Sequence, residues 1–120
     1  MLIQILIVIL RLSNEYINMY TDQQKEIALF AKVFGHPARV AILQQLFRID
    51  ACYCGDLSEE IGLAQPTISQ HLKELKTLGL IKGTVEGVKV CYCIDNENWT
   101  KMKVLMHQFL DQDIPKTDCC

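Results

Sequence analysis

The stretch DLSEEIGLAQPTISQHL, residues 56–72, decides the fold. Its apolar residues are spaced so that two short helices can pack on each other at a steep angle; they are Leu57, Ile61, Leu63, Ile68 and Leu72. Gly62 lies between the two helical patterns, where a residue without a side chain permits a sharp turn. This pattern is typical of a helix-turn-helix, whose second helix enters the major groove of DNA.

The second helix of this motif, the recognition helix, carries short polar side chains on its outward face. Such side chains can exchange hydrogen bonds with base edges and phosphates. We predict DNA contacts from this helix by Gln65, Thr67, Ser69, Gln70, His71, Lys73 and Lys76. Because the outward face lacks large hydrophobic residues, a winged helix that binds protein instead of DNA is the less favoured alternative.

Further helices and a hairpin are predicted around the motif. Apolar spacing and capping residues predict helices over residues 22–34, 37–47, about 54–61, 65–78 and about 96–110. Two β-rich runs, residues 80–85 and 88–94, are joined at Glu86 and Gly87, which is a hairpin signal. The hairpin would form a wing with Lys82 and Lys89 near the DNA backbone. The predicted fold class is mainly α with a small β-hairpin wing, a winged helix-turn-helix.

The composition fits one small domain with a mildly basic face. Half of the 120 residues are hydrophobic, which is enough for a core without disulfide bonds. The net charge of −2 excludes a basic coat over the whole surface. Residues 61–90 hold four lysines against two glutamates, or +2, whereas residues 51–60 hold three acidic residues, or −3. With so few cations, DNA affinity should depend on dimerisation and fall steeply with salt.

The chain is predicted to have three parts, namely an apolar extension over 1–19, a winged helix-turn-helix domain over 20–112 and a flexible tail over 113–120. The run MLIQILIVIL, residues 1–10, has no preceding basic residue and no cleavage site, and a spanning helix needs roughly 20 residues. It could pack as a strand or helix, associate weakly with a membrane, or be a mis-called start before Met19. The last is favoured, and a cytoplasmic protein with reduced thiols and no membrane partner is expected.

Six cysteines occur as three close pairs, at 52 and 54, 91 and 93, and 119 and 120. Thiolates are soft ligands that select thiophilic ions. We predict that Cys52 and Cys54 bind a metal, because they lie at the entrance to the helix predicted over 54–61, whose positive end favours thiolates. An ion there could act on the neighbouring recognition helix. Possible additional ligands, with strand packing or an inert tail as alternatives, are Cys91, Cys93, Cys119 and Cys120.

These segments resemble the ArsR/SmtB family of metal-sensing winged-helix repressors. The likeness covers about residues 22–110 and is carried by FGHPARVAIL at 34–43, the helix-turn-helix, LKTLGLI at 75–81 and GVKVCY at 87–92. It implies a homodimer that binds an inverted-repeat operator in double-stranded DNA and releases it when a metal ion or metalloid binds. The first and last helices would form the interface, with core packing as the alternative, through Ile27, Phe30, Phe34, Trp99, Met102, Leu105, Met106 and Phe109.

The run CYCGDL, residues 52–57, resembles the Cys-x-Cys-Asp-Leu motif of the arsenic- and antimony-sensing branch, with Gly55 inserted and the third cysteine missing. The resemblance implies trivalent arsenic or antimony as effector, with no required cofactor and no small organic substrate. A zinc or nickel site in the last helix fits poorly, since His107 lacks its family partner. The alternatives are another thiophilic ion, or a redox switch with disulfides inside each close pair. No enzyme is expected, because the chain lacks a Cys-x-x-Cys motif.

Overall fold

The computed structural model describes residues 1–49 and 52–116, with the side chains of residues 13–18 excepted. Within these ranges the elements are, in order, α1 (Leu2–Asn18), α2 (Asp22–Val33), α3 (Pro37–Phe47), α4 (Leu57–Ile61), α5 (Gln65–Thr77), β1 (Ile81–Glu86), β2 (Lys89–Ile94) and α6 (Asn96–Leu110). This mainly helical architecture with one hairpin confirms the predicted winged helix-turn-helix.

Two short polar motifs define where α2 and α4 begin. Thr21 and Gln24 form a capping box, in which each side-chain oxygen accepts a hydrogen bond from the other residue's amide. Asp56 caps α4 by accepting hydrogen bonds from two amides of the first turn. Because of this cap α4 begins at Leu57, three residues later than predicted.

The core lies between the inner faces of the helices and the start of the hairpin. Its buried members are Val33, Ile42, Leu43, Leu46, Leu57, Ile68, Leu72, Leu75, Leu80, Ile81 and Met102. Burial of one such side chain contributes roughly 1.5–3 kcal/mol. The α5 members of this set recur every three or four residues, so the apolar face of α5 is turned inward and its polar face toward solvent.

Two of the glycines with left-handed backbones lie at turns of the DNA-binding unit. Gly62 ends α4 at φ 80° and its amide donates to the carbonyl of Ser58, which sets α5 at an angle to α4. Gly87, at φ 64°, lies in the turn of the hairpin. The hairpin strands are antiparallel, with Ile81 opposite Ile94 and the last pair at the turn.

From residue 2 onward the apolar run at residues 1–10 lies in α1, so the strand alternative for this run is wrong. Its side chains are exposed on all sides, each large hydrophobic residue by at least 46%. Among the residues described, no helix is long and apolar enough to cross a membrane. The division into extension, domain and tail stays a prediction.

Candidate nucleic-acid interface and cysteine cluster

The outward face of α5 carries the predicted DNA contacts with one exception. Six of them are exposed side chains, namely Gln65, Thr67, Ser69, Gln70, Lys73 and Lys76. Their exposure follows from burial of Ile68 and Leu72 on the opposite side of the same helix. The face is therefore polar, solvent-exposed and free to meet DNA, and the individual contacts stay predictions.

The predicted DNA contact by His71 is wrong. His71 is only 8% exposed, because it follows Ile68 by three residues and precedes Leu75 by four on the inner side of α5. Its ring lies 4.4 Å, centroid to centroid, from the ring of His36, and its Nδ1 has no hydrogen-bond partner among the described residues. Burial lowers the pKa of His71, and the nearby His36 and Arg39 lower it further.

Arg39, on α3, connects the recognition helix to the end of α2, a role that was not predicted from the sequence. Its guanidinium forms an ion pair with the Glu74 carboxylate on α5. It also donates to the carbonyls of Val33, at 2.6 Å, and Lys32, at 2.8 Å, at the end of α2. One side chain thereby satisfies helix-terminal carbonyls and positions α5. The available signal was an arginine inside the apolar segment 34–43.

The wing carries both predicted cations, and both are exposed. The ammonium of Lys82 lies 3.8 Å from the carboxylate of Asp95, which reduces the charge it offers to DNA. Lys89 lines a cleft of about 560 Å³ between the wing, the start of α5 and the segment before α4. Cys54, Gln65 and Ser69 also line this cleft, so the cysteine segment borders the predicted DNA-binding face.

The segment before α4 pairs with the free edge of β2. The amide of Tyr53 donates to the carbonyl of Tyr92 at 2.7 Å, and the amide of Tyr92 donates to the carbonyl of Tyr53 at 2.9 Å. In such a ladder the residues on either side of each tyrosine share the opposite face. Both tyrosines pack against the core, whereas the flanking residues form the cysteine cluster, defined as Cys52, Cys54, Cys91 and Cys93.

Disulfide bonds join the cysteine cluster across the two strands. Cys52 is bonded to Cys93 and Cys54 to Cys91, with Cα–Cα distances of 4.4 and 4.2 Å. The predicted pairing inside each close pair is therefore wrong for these four residues, because the antiparallel register places each cysteine opposite one on the other strand. Cys119 and Cys120 lie outside the described residues.

The predicted place of Cys52 and Cys54 at a helix entrance is also wrong. Both lie in extended backbone before the Asp56 cap, so the dipole of α4 does not act on them directly. The structure instead brings them to the two cysteines of β2, which were predicted only as possible additional ligands.

A carboxylate lies beside one half of the cysteine cluster. Glu86 Oε2 is 3.6 Å from Cys91 Sγ and 3.9 Å from Cys54 Sγ. Their three donor atoms lie within 4.8 Å of one another, a spacing that a metal ion could bridge once the thiols are reduced. Cys91 is fully buried and Cys54 half-buried, so a ligand reaches the pair from the Cys54 side. No local pattern marked Glu86, which is the last residue of β1 before the hairpin turn.

One residue assigned to the dimer interface belongs to the core of the single chain. Met102 is only 3% exposed and packs among the buried residues, so its predicted interface role is wrong. Trp99 also packs within the chain, with its ring centroid 6.2 Å from that of Phe34 and 4.8 Å from that of Phe47. The wide apolar stripe of α6 explains both placements, since one side of it faces α3.

The other predicted interface residues remain partly accessible. Ile27, Phe30, Leu105 and Met106 are half-buried, and Phe109 is 49% exposed. Phe30 and Leu105 line a groove of about 640 Å³ between α2 and α6. The described chain therefore keeps an apolar groove along the two helices predicted to dimerise.

A helix-turn-helix with a wing and an exposed polar recognition helix defines a DNA-binding regulator. Comparison with known proteins supports this class of protein. Residues 36–82 match the family described as "Bacterial regulatory protein, arsR family". The "Arsenical resistance operon repressor" of Staphylococcus xylosus is 36% identical over 73 residues, 61% of this chain and 69% of that protein. The "HTH-type transcriptional regulator CmtR" of Mycobacterium tuberculosis is 35% identical over 78 residues, 63% of this chain and 65% of that protein.

Solved structures show the same fold. The crystal structure of Rv0081 from M. tuberculosis superposes with a TM-score of 0.59 at 27% identity, covering 76% of this chain and 91% of that one. HlyU from Vibrio cholerae superposes with a TM-score of 0.58 at 24% identity, covering 78% of this chain and 100% of that one. The chain belongs to the arsR family of bacterial regulatory proteins, and it is a DNA-binding transcriptional regulator, not an enzyme.

Proposed function

We propose that this regulator is a repressor that releases its operator when trivalent arsenic or antimony binds thiolates of the cysteine cluster. The observation that carries the proposal is the convergence of four cysteines on one face of the ladder beside the predicted DNA interface. The similarity to an arsenical resistance operon repressor supports it. Because a regulator of DNA works where the chromosome lies, we place it in the cytoplasm, where thiols are kept reduced.

The donor set suits a soft trivalent ion. Trivalent arsenic and antimony bind three thiolates in a pyramid, and soft thiolates favour thiophilic ions over hard ones. Reduction of both disulfides would present four thiols on one face, enough for three ligands without Cys119 or Cys120. The sequence left the third ligand open, and Cys91 and Cys93 are the cysteines that the ladder places beside Cys52 and Cys54.

The position of the cluster suggests how an ion there would reach DNA. Cys54 is two residues before the Asp56 cap of α4, and its partner strand β2 belongs to the wing. A change in the distance between this segment and β2 would therefore move the helix-turn-helix relative to the wing. Coupling of this kind typically amounts to about 1–3 kcal/mol between two sites.

We further propose that the protein acts as a homodimer on an inverted repeat. The groove along α2 and α6 supports this, since Phe30, Val104 and Leu105 line it and two large hydrophobic residues at the end of α6, Phe109 and Leu110, are exposed. Sedimentation of the wild type should give twice the mass of one chain, and Leu105→Glu should give one chain and weak DNA binding.

Fluorescence anisotropy with the DNA upstream of its own coding sequence tests the effector. In the non-thiol reductant tris(2-carboxyethyl)phosphine, arsenite should raise the Kd of the wild type about tenfold or more. Cys52→Ser with Cys54→Ser should keep the affinity without arsenite and lose the response. The matched control, Cys119→Ser with Cys120→Ser, should respond like the wild type. An unchanged Kd in wild type would refute the metalloid proposal, and release by Cd²⁺ alone would replace it with a divalent-ion sensor.

A further inference from the structure

Backbone pairing alone holds the cysteines of the cluster in two aligned pairs. The two backbone hydrogen bonds between Tyr53 and Tyr92 set the register of the ladder. That register places residue 52 opposite 93 and residue 54 opposite 91 on one face, with Cα atoms 4.4 and 4.2 Å apart. Opposed thiols in such a ladder are already close together without a change in the backbone, which favours disulfide formation across the strands.

We propose that the cysteine cluster is also a site of thiol oxidation, at which glutathione disulfide converts the two opposed pairs into disulfides and so disables effector binding. The effector half of this statement rests on the proposed function above, whereas the oxidation chemistry does not. The protein then has a second function, because it responds to the thiol redox state: when oxidised, it stays bound to its operator even when the effector is present.

The chemistry balances with glutathione disulfide as the only co-reactant. The thiolate of Cys54, the more accessible member of its pair, attacks one sulfur of glutathione disulfide, whose S–S bond breaks, and glutathione thiolate leaves and takes up a proton. The buried Cys91 then loses its proton and attacks the mixed disulfide, and a second glutathione leaves. Two protein thiols have given up two electrons, and one glutathione disulfide has become two glutathione molecules. Cys52 and Cys93 react by the same steps.

Oxidation has two consequences for the regulator. The two disulfides together contain all four sulfurs of the cluster, so no thiolate of the cluster is left to bind a thiophilic ion. They also tie the segment leading into α4 covalently to β2 of the wing, at both sides of Tyr53. The relative movement through which an ion would act on DNA is then blocked. We therefore expect the oxidised protein to keep its operator in the presence of arsenite.

The experiment must distinguish aligned from diagonal pairing, because trypsin releases both cysteines of each strand on one peptide. Residues 49–73 carry Cys52 and Cys54, and residues 90–101 carry the other two. In a Cys119→Ser, Cys120→Ser background, two double variants leave an aligned pair: Cys52→Ser with Cys93→Ser, and Cys54→Ser with Cys91→Ser. Two matched controls leave a diagonal pair: Cys52→Ser with Cys91→Ser, and Cys54→Ser with Cys93→Ser.

Each variant is reduced, equilibrated with defined ratios of glutathione to glutathione disulfide, trapped with iodoacetamide and analysed by mass spectrometry. Aligned variants should link the two peptides at ratios where diagonal variants show about tenfold less link. When all four cysteines of the cluster are present, oxidation should join the two peptides by two disulfide bonds. Links within one peptide, or equal oxidation of diagonal pairs, would overturn the proposal.

The functional readout is operator binding by the full chain with and without arsenite. Oxidised wild type should bind DNA with a Kd within about threefold of the reduced protein and show no release by arsenite, and reduction should restore release. Release of the oxidised protein by arsenite would overturn the redox proposal alone. Failure of arsenite to act on the reduced protein would overturn the effector proposal, while the pattern of peptide links would still stand.

Discussion

The imidazole ring of His71 on the recognition helix packs against that of His36, with ring centroids 4.4 Å apart. The Nδ1 of His36 accepts a hydrogen bond from the amide of Ala38 at the start of α3, whereas the Nδ1 of His71 has no partner in the described part of the chain. Burial, and then His36 and Arg39, lower the pKa of His71, and only Glu74 opposes them. The folded protein therefore favours neutral His71.

This contact predicts a loss of stability in mild acid. The folded pKa lies below the unfolded value of about 6.5, so the unfolded chain takes up the proton first as the pH falls. The contribution of His71 to the free energy of unfolding is complete above the unfolded pKa and is lost as the pH falls through the lowered folded pKa. Urea unfolding should show a smaller drop in the free energy of unfolding between pH 7.5 and pH 5.5 for His71→Leu than for wild type. The exposed His107→Gln serves as control, and an equal drop in His71→Leu would contradict the prediction.

The helix-turn-helix turn should be sensitive to backbone conformation alone. Gly62 has φ 80°, and a Cβ added to it would meet no atom within 4 Å. Gly62→Ala should therefore cost about 1–2 kcal/mol through its left-handed backbone and nothing through collision. Gly62→Asn should cost less, because asparagine adopts this conformation more readily. Thermal unfolding measures both variants, and an Asn variant no more stable than the Ala variant would refute this explanation.

Lys73, one of two exposed lysines on the recognition helix, should bind DNA through its charge on the phosphates. Lys73→Gln should weaken binding to all DNA sequences and reduce the slope of log K against log salt by about 1 for each bound subunit. Lys103→Gln on α6 removes the same charge from an exposed position away from the predicted DNA face, and should leave the slope unchanged. Anisotropy titrations over a salt series measure the slope. Equal slopes in wild type and Lys73→Gln would show that another face meets DNA.

The two disulfides should stabilise the oxidised protein together by less than the sum of their separate contributions. Their sequence separations are 41 and 37 residues, and the shorter loop lies inside the longer one. Closure of one loop of this size stabilises the folded state by roughly 4 kcal/mol, and the second bond then constrains only two further residues at each end. In urea, removing one aligned pair should cost roughly 2 kcal/mol and removing both roughly 6 kcal/mol, which is less than twice the value of a single loop of this size. Additive losses would contradict the nested-loop account.

Features that depend on neighbours in sequence were predicted well. The start of α2 at residue 22, the turn at Gly62 and the polar face of α5 each follow from residues within a few positions of one another. Helix spacing and turn chemistry are local, so they were enough to predict the winged helix-turn-helix, and six of the seven side chains predicted to contact DNA from α5 are exposed.

Which distant residues meet could not be predicted from the local sequence. The alignment of Cys52 with Cys93 depends on β pairing across 41 residues, and the ion pair of Arg39 with Glu74 spans 35. His71 was misplaced because a polar residue can occupy an inner position when another ring covers it. Long-range register and packing are decided by closure of the whole fold, because their free energy comes from contacts that exist only once the chain has folded.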